Sequence, residues 1–232
     1  MSLFGIARRD RPTLDGTMYS DDFQHLNYSG ERLDQFDEDV WLAILVIGHK
    51  IAIKRPIPIT LREVAQRVGI GNGGKDLARI RASIDRMKRC KVDYYAGMID
   101  NHRGPLMDST DRGEIILPRR LISAFLADQR TGQINIDFAH RMMLDSYLAK
   151  WLHGLIQSYG AIFPLSVTWL AGACATQCQT LYGFRAEVRR ALRELERRGR
   201  IRGWEIGVGD LVYVDPASEE PLASRGSLQR GF

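Results

Sequence analysis

The sequence predicts an α+β fold, mainly helical, in which one small unit occurs twice. Segments with helical spacing of apolar residues alternate with short segments rich in β-forming residues. The second half repeats the order of the first at an offset of about 106–108 residues, and this repetition is the signature of a duplicated unit. The length of 232 residues fits two small domains.

Composition excludes several classes of protein. The chain is 44% hydrophobic with a mean hydropathy of −0.24, which is typical of a folded globular protein. Its longest apolar run, Val40–Gly48, is about half of what a bilayer requires. Residues 1–11 lack the apolar core of a secretory signal. Three cysteines are too few for a disulfide scaffold, so we expect a cytoplasmic protein.

The two ends of the chain differ in composition from the part between them. Residues 1–35 are polar and acidic and predict a flexible N-terminal arm, and residues 216–232 predict a flexible C-terminal tail. Between them we place one domain at residues 36–136 and a second at residues 137–215.

The first unit contains three helical segments and a hairpin. Apolar spacing predicts a helix over 37–50, and Thr60 with Glu63 forms a capping box for a short helix over 61–68. The glycine-rich segment 69–74 ends that helix, and helical spacing resumes over 75–90. Residues 92–99 and 115–117 are rich in β formers and predict paired strands.

The second unit repeats this order. A helix is predicted over 145–158, followed by a short helix over 167–175 that Ser166 caps. A further helix covers 184–198, and strands at 201–206 and 211–214 flank a turn. In both units the order is helix, short helix, turn, helix and hairpin. This is the order of a winged helix, so the sequence predicts two tandem winged-helix (helix-turn-helix plus β-hairpin) domains.

The face opposite the apolar stripe indicates what the last helix contacts. Residues 184–202 hold eight arginines against three glutamates, and the arginines recur at every fourth position. Like charges at this spacing destabilise a helix by a few tenths of a kcal/mol per pair, so a bound anion is expected. We therefore predict DNA contacts from these residues: Arg185, Arg189, Arg190, Arg193 and Arg197.

The corresponding helix of the first unit carries a weaker version of this pattern. Basic residues share one sector with the small Ala82, which leaves space for a DNA backbone. The DNA-contacting residues predicted here are Lys75, Arg79, Arg86 and Arg89. Arg200 and Arg202 of the second hairpin are predicted to contact phosphates, whereas Trp204 is assigned to the core.

Two other motifs contain residues that are typical of a nucleotide-binding site and of a zinc site. Gly69, Gly71 and Gly74 match a dinucleotide-binding fingerprint, and Lys75 nearly completes a P-loop. A helix instead of a strand precedes this loop and Asp76 follows it, so an inter-helix turn is favoured over a nucleotide site. Cys174 and Cys178 lack histidine or cysteine partners at zinc spacing. No catalytic constellation is present, so we expect neither an enzyme, nor a metal, nor a cofactor.

Several short motifs resemble one family in their order and spacing. They cover about residues 25–215: Val40-Trp41 after the acidic lead-in, Pro58-Ile59-Thr60-Leu61, Gln133 to Ile136, Lys150-Trp151 with Tyr159, Phe163-Pro164-Leu165, and Leu211-Val212-Tyr213-Val214. In these features the chain resembles plasmid replication initiators of the TrfA type, which are tandem winged-helix proteins.

The resemblance implies a function and partners. Such initiators bind directly repeated origin sites (iterons) in double-stranded DNA, open the adjacent duplex and recruit host replication proteins. Monomers bind DNA and dimers are inactive, so a monomer–dimer equilibrium is implied, with the host initiator and replicative helicase as partners. A clamp-binding peptide ending in Leu-Phe is also implied, and Ser2-Leu3-Phe4 resembles its end without the preceding Gln-Leu.

The resulting hypothesis is a replication initiator that contacts one major groove with each unit, over roughly 20 base pairs. A winged-helix transcriptional regulator is the alternative among DNA-binding proteins. A nucleotide-binding enzyme that uses the Gly69–Lys75 loop is the alternative from a different class.

Overall fold

A computed structural model describes residues 3–6, 11–20, 24–48, 56–96, 100–126, 137–159 and 164–217. Over these residues the chain is α+β, with eight α-helices and small sheets. The predicted tail beyond residue 217 and the motif from Gln133 to Ile136 lie outside the described residues. Within them, no helix has both the length and the apolar character needed to cross a bilayer.

The N-terminal segment forms strands instead of the expected flexible arm. It contains β1 (Phe4–Gly5), β2 (Thr13–Ser20), β3 (Gln24–Glu31) and β4 (Leu33–Asp34). β1 pairs in parallel with β4, and β3 pairs with β2 on one side. Leu26 and Tyr28 alternate into the core, because side chains two apart on a strand share a face. For the described residues of this segment, the expectation of an arm over 1–35 is therefore wrong.

The three helices of the first unit lie close to their predicted positions. They are α1 (Gln35–Gly48), α2 (Leu61–Val68) and α3 (Gly74–Arg89). Thr60 Oγ1 accepts a hydrogen bond from the Glu63 backbone N–H at 3.1 Å, as the capping box predicts. Gly69 ends α2 in the left-handed conformation with φ 74°.

The strand pairing after α3 differs from the prediction. β5 (Lys91–Ala96) pairs with β6 (Asp100–Gly104) and with β3, which gives a four-stranded sheet of order β2-β3-β5-β6. The predicted partner of β5, the apolar run near Ile115, instead belongs to a separate hairpin of β7 (Asp108–Ser109) and β8 (Ile115–Ile116). Two helices that the sequence did not predict follow, α4 (Arg119–Leu126) and α5 (Phe138–Met142).

The second unit has the predicted order of elements. It comprises α6 (Tyr147–Tyr159), β9 (Leu165–Ser166), α7 (Val167–Cys174), α8 (Leu181–Arg197), β10 (Ile201–Ile206) and β11 (Leu211–Pro216). The two strands after α8 form an antiparallel hairpin, and β9 adds to it in a sheet of order β10-β11-β9.

Buried apolar side chains form two clusters. The first draws on residues 3–122 and the second on residues 144–212. The N-terminal strand touches both, because Leu3 and Phe4 are buried in the first cluster while Ile6 packs against the second. The Ile6 N–H also donates to the Cys174 carbonyl at 3.0 Å. Leu3 and Phe4 are thus structural, which contradicts their assignment to an exposed clamp-binding peptide.

Candidate nucleic-acid interface

Helix α8 is positioned by its N-cap and its apolar stripe. Thr180 Oγ1 accepts a hydrogen bond from the Gly183 N–H at 3.1 Å, which satisfies one of the free amides of the first turn. Phe184, Val188 and Leu192 are buried in the second cluster. The opposite side of the helix therefore faces solvent.

This solvent-facing side is basic. Arg190, Arg193 and Arg197 are exposed and Arg189 is half-buried. Within the described part of the chain, none of these four guanidinium groups forms an ion pair with a carboxylate. An array of unneutralised arginines on one helix face suits a polyanion. We call these four residues the α8 arginine face.

Two of the three glutamates of α8 do not neutralise this face, because their carboxylates have other partners. Glu194 is buried and accepts a hydrogen bond from the backbone N–H of Asp145, just before α6. Glu196 accepts from Trp204 Nε1 at 3.0 Å. The charge of the arginine face is therefore left to an external partner.

Arg185 differs from the other arginines of α8. Its Nη1 atom lies 2.8 Å from Asp210 Oδ1, at the turn between β10 and β11, and its side chain is only 31% exposed. The ion pair fixes the hairpin beside the N-terminal half of α8. Arg185 is thus placed as a hairpin anchor, unlike the DNA contact that the sequence predicts.

The hairpin presents one basic residue and an apolar tip. Arg202 is exposed on β10, and Val208 at the tip is 96% exposed. Trp204 is half-buried and packs against the second cluster, in agreement with its predicted place. Arg200 instead turns inward, with Nη1 3.3 Å from Asp137 Oδ2. This ion pair argues against the predicted phosphate contact of Arg200.

Helix α3 also exposes basic residues, but two of its four predicted DNA contacts, Arg79 and Arg86, have protein partners. Lys75 and Arg89 are exposed at its two ends. Arg79 is exposed but engaged: its Nη2 donates to Tyr147 Oη at 3.0 Å, and its guanidinium lies 3.6 Å from the centre of the Phe36 ring. The basic face of α3 is accordingly weaker than that of α8.

Arg86 belongs to a buried charge cluster and not to the basic face of α3. Its Nη2 atom donates to Asp37 Oδ1 at 2.6 Å, and Arg11 donates to the other oxygen of the same carboxylate at 2.6 Å. Although burial raises the pKa of Asp37, the hydrogen bond from Arg86 and the charges of both arginines bring it below its usual range. Because Asp37 binds its guanidinium group, Arg86 is not available for the DNA contact that the sequence predicts.

A second buried cluster joins the two units. The carboxylate of Asp39 on α1 accepts from Arg141 Nε at 2.8 Å and from Lys150 Nζ on α6. Arg141 also donates to Gln35 Oε1 at 2.8 Å. All four side chains are buried. Because these groups come from α1, α5 and α6, the cluster fixes the second unit against the first.

Asp137 lies at the junction of the same units. Burial raises its pKa, but hydrogen bonds from His153 and His140 outweigh this effect and lower the pKa to about 2. With Arg200 also facing it, Asp137 is a local acceptor for three basic side chains.

The glycine-rich loop connects two helices, and one of the two noted cysteines is buried. The loop joins α2 to α3 without a preceding strand, as the inter-helix turn predicts. Cys174 is buried, and burial raises the pKa of its thiol to about 12. Within the described residues, no three His, Cys, Asp or Glu side chains are grouped so as to hold a metal.

Sequence reasoning missed Tyr182 and Val208. Tyr182, in the first turn of α8, is 84% exposed. The sequence allows Tyr182 to be placed on the basic side of α8, because it lies seven residues before Arg189 and therefore on the same side of the helix. The exposure of Val208 depends on the shape of the hairpin tip, where Gly209 and Asp210 both have positive φ.

The comparisons with known proteins concern the fold. No protein-family model matches the sequence, and no curated protein matches it at a significant level. Two solved structures of RctB domains 2 and 3 are similar. A selenomethionine-derivative structure gives a TM-score of 0.56 at 13% identity, over 83% of this chain and 82% of that chain. A structure of RctB 155–483 gives a TM-score of 0.56 at 12% identity, over 90% and 92% respectively.

Proposed function

We propose that the chain is a replication initiator that binds repeated sites in double-stranded DNA through two winged-helix units. The observation that carries this proposal is the α8 arginine face, which is basic, exposed and without carboxylate partners among the described residues. The fold shared with RctB domains 2 and 3 supports the initiator class. The sequence motifs support membership of the TrfA-type initiators in particular.

The second unit has the parts that a winged helix uses on DNA. In such domains the second helix of the pair enters the major groove. Here α7 and α8 form the pair, and the Arg185–Asp210 ion pair holds the hairpin next to α8. Arg202 and the arginine face supply the phosphate contacts, so α8 is the principal DNA-contacting helix and α3 the secondary one.

Initiation then follows from occupancy of several repeats. We propose that bound copies open the adjacent duplex and recruit the host initiator and replicative helicase, and that the chain itself catalyses no reaction. A titration with ATP and magnesium tests the alternative of a nucleotide-binding enzyme. That alternative requires ATP to bind in the Gly69–Lys75 loop.

Fluorescence anisotropy with duplexes tiled across the DNA that flanks the gene tests the proposal. The double variant Arg190→Ala/Arg193→Ala is compared with Arg112→Ala/Arg119→Ala, which removes two exposed arginines far from α8 in sequence. Each lost phosphate contact should reduce the slope of log K against log salt by about 0.9. We expect a reduction of nearly two for the first variant and none for the second.

Two results would overturn the proposal. Equal, weak binding of the wild type to every duplex would remove the repeated-site initiator. Equal losses of affinity in both double variants would show that net charge, and not the α8 arginine face, holds the DNA.

A further inference from the structure

An aromatic ring lies at the start of the arginine face. Tyr182 is 84% exposed, and Leu181 beside it is 43% exposed, although most side chains of this size are largely covered in folded proteins. Thr180 caps the helix immediately before them, so the ring projects from an ordered first turn.

Helical geometry places this ring in line with the basic residues. At 3.6 residues per turn, Tyr182, Ala186, Arg189 and Arg193 lie within a sector of about 60°. Ala186 is exposed, and its small side chain allows close approach to the helix. The centre of the sector is therefore apolar in the first two turns and cationic in the later ones.

The hairpin of β10 and β11 lies beside the same end of α8. Arg185, three residues after Tyr182, holds Asp210 at 2.8 Å, and Val208 of the same turn is 96% exposed. The ion pair thus brings the hairpin tip beside the N-terminal turns of α8. In helix-turn-helix domains the N-terminal residues of the second helix contact base edges.

The chemistry of these side chains selects one feature of the major groove. A phenol ring and an alanine methyl group cannot form the bidentate hydrogen bonds that read guanine or adenine. The apolar group that the major groove offers is the C5 methyl of thymine.

We propose that Tyr182 and Ala186 read the methyl groups of thymine in one or two adjacent A·T pairs, while Arg190, Arg193 and Arg197 contact phosphates. This inference rests on the proposed function, and it divides the interface into a base-reading end and a phosphate-binding end of α8. Tyr182 is then a specificity-determining residue.

Selection from a random 20-base-pair duplex library tests this division with the full-length chain. The proteins are the wild type, Tyr182→Ala, Tyr182→Phe and Arg193→Ala, with Met143→Ala as the control that removes another exposed apolar side chain. Tyr182→Ala should lose a preference for A·T pairs of about fivefold or more at one or two positions. Tyr182→Phe and Met143→Ala should keep it. Arg193→Ala should weaken binding to all sequences and lower the salt slope by about one.

Uracil in place of thymine isolates the methyl group. At the selected positions, uracil should weaken the wild type by the same factor as Tyr182→Ala does and should have no further effect on that variant. An unchanged sequence preference in Tyr182→Ala, loss of preference in Tyr182→Phe, or equal binding to thymine and uracil would overturn the inference while the proposed function stands. No enrichment of any sequence by the wild type would instead overturn the proposed function.

Discussion

At the scale of single residues, Asp37 shows how an acidic segment is used inside the fold. Its side chain is fully buried, and its two oxygens accept hydrogen bonds from Arg11, Arg86 and Ser83 at 2.6 Å. A buried carboxylate with several donors is satisfied, but the loss of its charge removes the short ion pair of Arg86 and leaves Arg11 with Asp34 as its close partner.

The substitution Asp37→Asn should therefore lower the free energy of unfolding by about 3–5 kcal/mol, the range for a buried ion pair that loses one partner. Urea unfolding followed by circular dichroism measures the change. The exposed Asp111→Asn is the matched control and should stay within about 0.5 kcal/mol of the wild type. Equal stability of both variants would contradict the role given to Asp37.

The low pKa of Asp137 predicts that the stability of the protein depends on pH. Its pKa in the folded state is about 2, lower than the value of about 3.9 in an unfolded chain. The stabilisation is thus fully present above about pH 4 and is lost as the pH falls towards 2, because the unfolded chain takes up the proton first. Asp137→Asn should flatten this acid limb of the stability profile by on the order of 1 kcal/mol after solvent screening. If the stability of Asp137→Asn falls between pH 4 and pH 2 as steeply as that of the wild type, this role of Asp137 is refuted.

At the scale of elements, the turn between α2 and α3 depends on one glycine conformation. Gly69 has φ 74°, and an added Cβ would meet no atom within 4 Å, so only backbone strain opposes a side chain there. Gly74 has space too, but its φ is not positive and it lies in the first turn of α3.

Gly69→Ala should consequently destabilise the protein by about 1 kcal/mol, whereas Gly74→Ala should be neutral or stabilising by up to about 1 kcal/mol. Thermal unfolding of the two variants compares the same chemical change at two backbone conformations. A larger loss for Gly74→Ala than for Gly69→Ala would show that the loop has a role other than a turn.

At the scale of the whole molecule, ion pairs hold the two units in one arrangement. Asp39 of α1 is the shared partner of Arg141 on α5 and Lys150 on α6. Since the two apolar clusters have few side chains in common, this buried contact is a main source of coupling between them.

Asp39→Asn should uncouple the two units. We expect the wild type to unfold in a single urea transition, and the variant to unfold at lower urea with non-coincident curves by circular dichroism and by tryptophan fluorescence. Tryptophan fluorescence reports mainly the unfolding of the second unit, because Trp151 and Trp204 belong to the second cluster and Trp41 to the first. Coincident curves at an unchanged midpoint would exclude this coupling.

The positions of six of the eight described helices and the arginine face could be predicted from the chain because the signals are local. Apolar spacing, the Thr60 cap and the glycine after α2 act within a few residues, so they indicate where helices begin and end whatever the rest of the fold does. The same periodicity places the arginines of α8 opposite its apolar stripe, and both features are present in the structure.

The use of each charge was decided only by tertiary structure. Arg86 and Arg200 are predicted DNA contacts like the exposed arginines, but Asp37 and Asp137, distant in sequence, bind them in the folded chain. The acidic N-terminal segment likewise becomes part of a sheet because β5, more than 60 residues later, pairs with β3. Ion pairs and strand pairing join residues far apart along the chain, and a local pattern contains no information about partners at that distance.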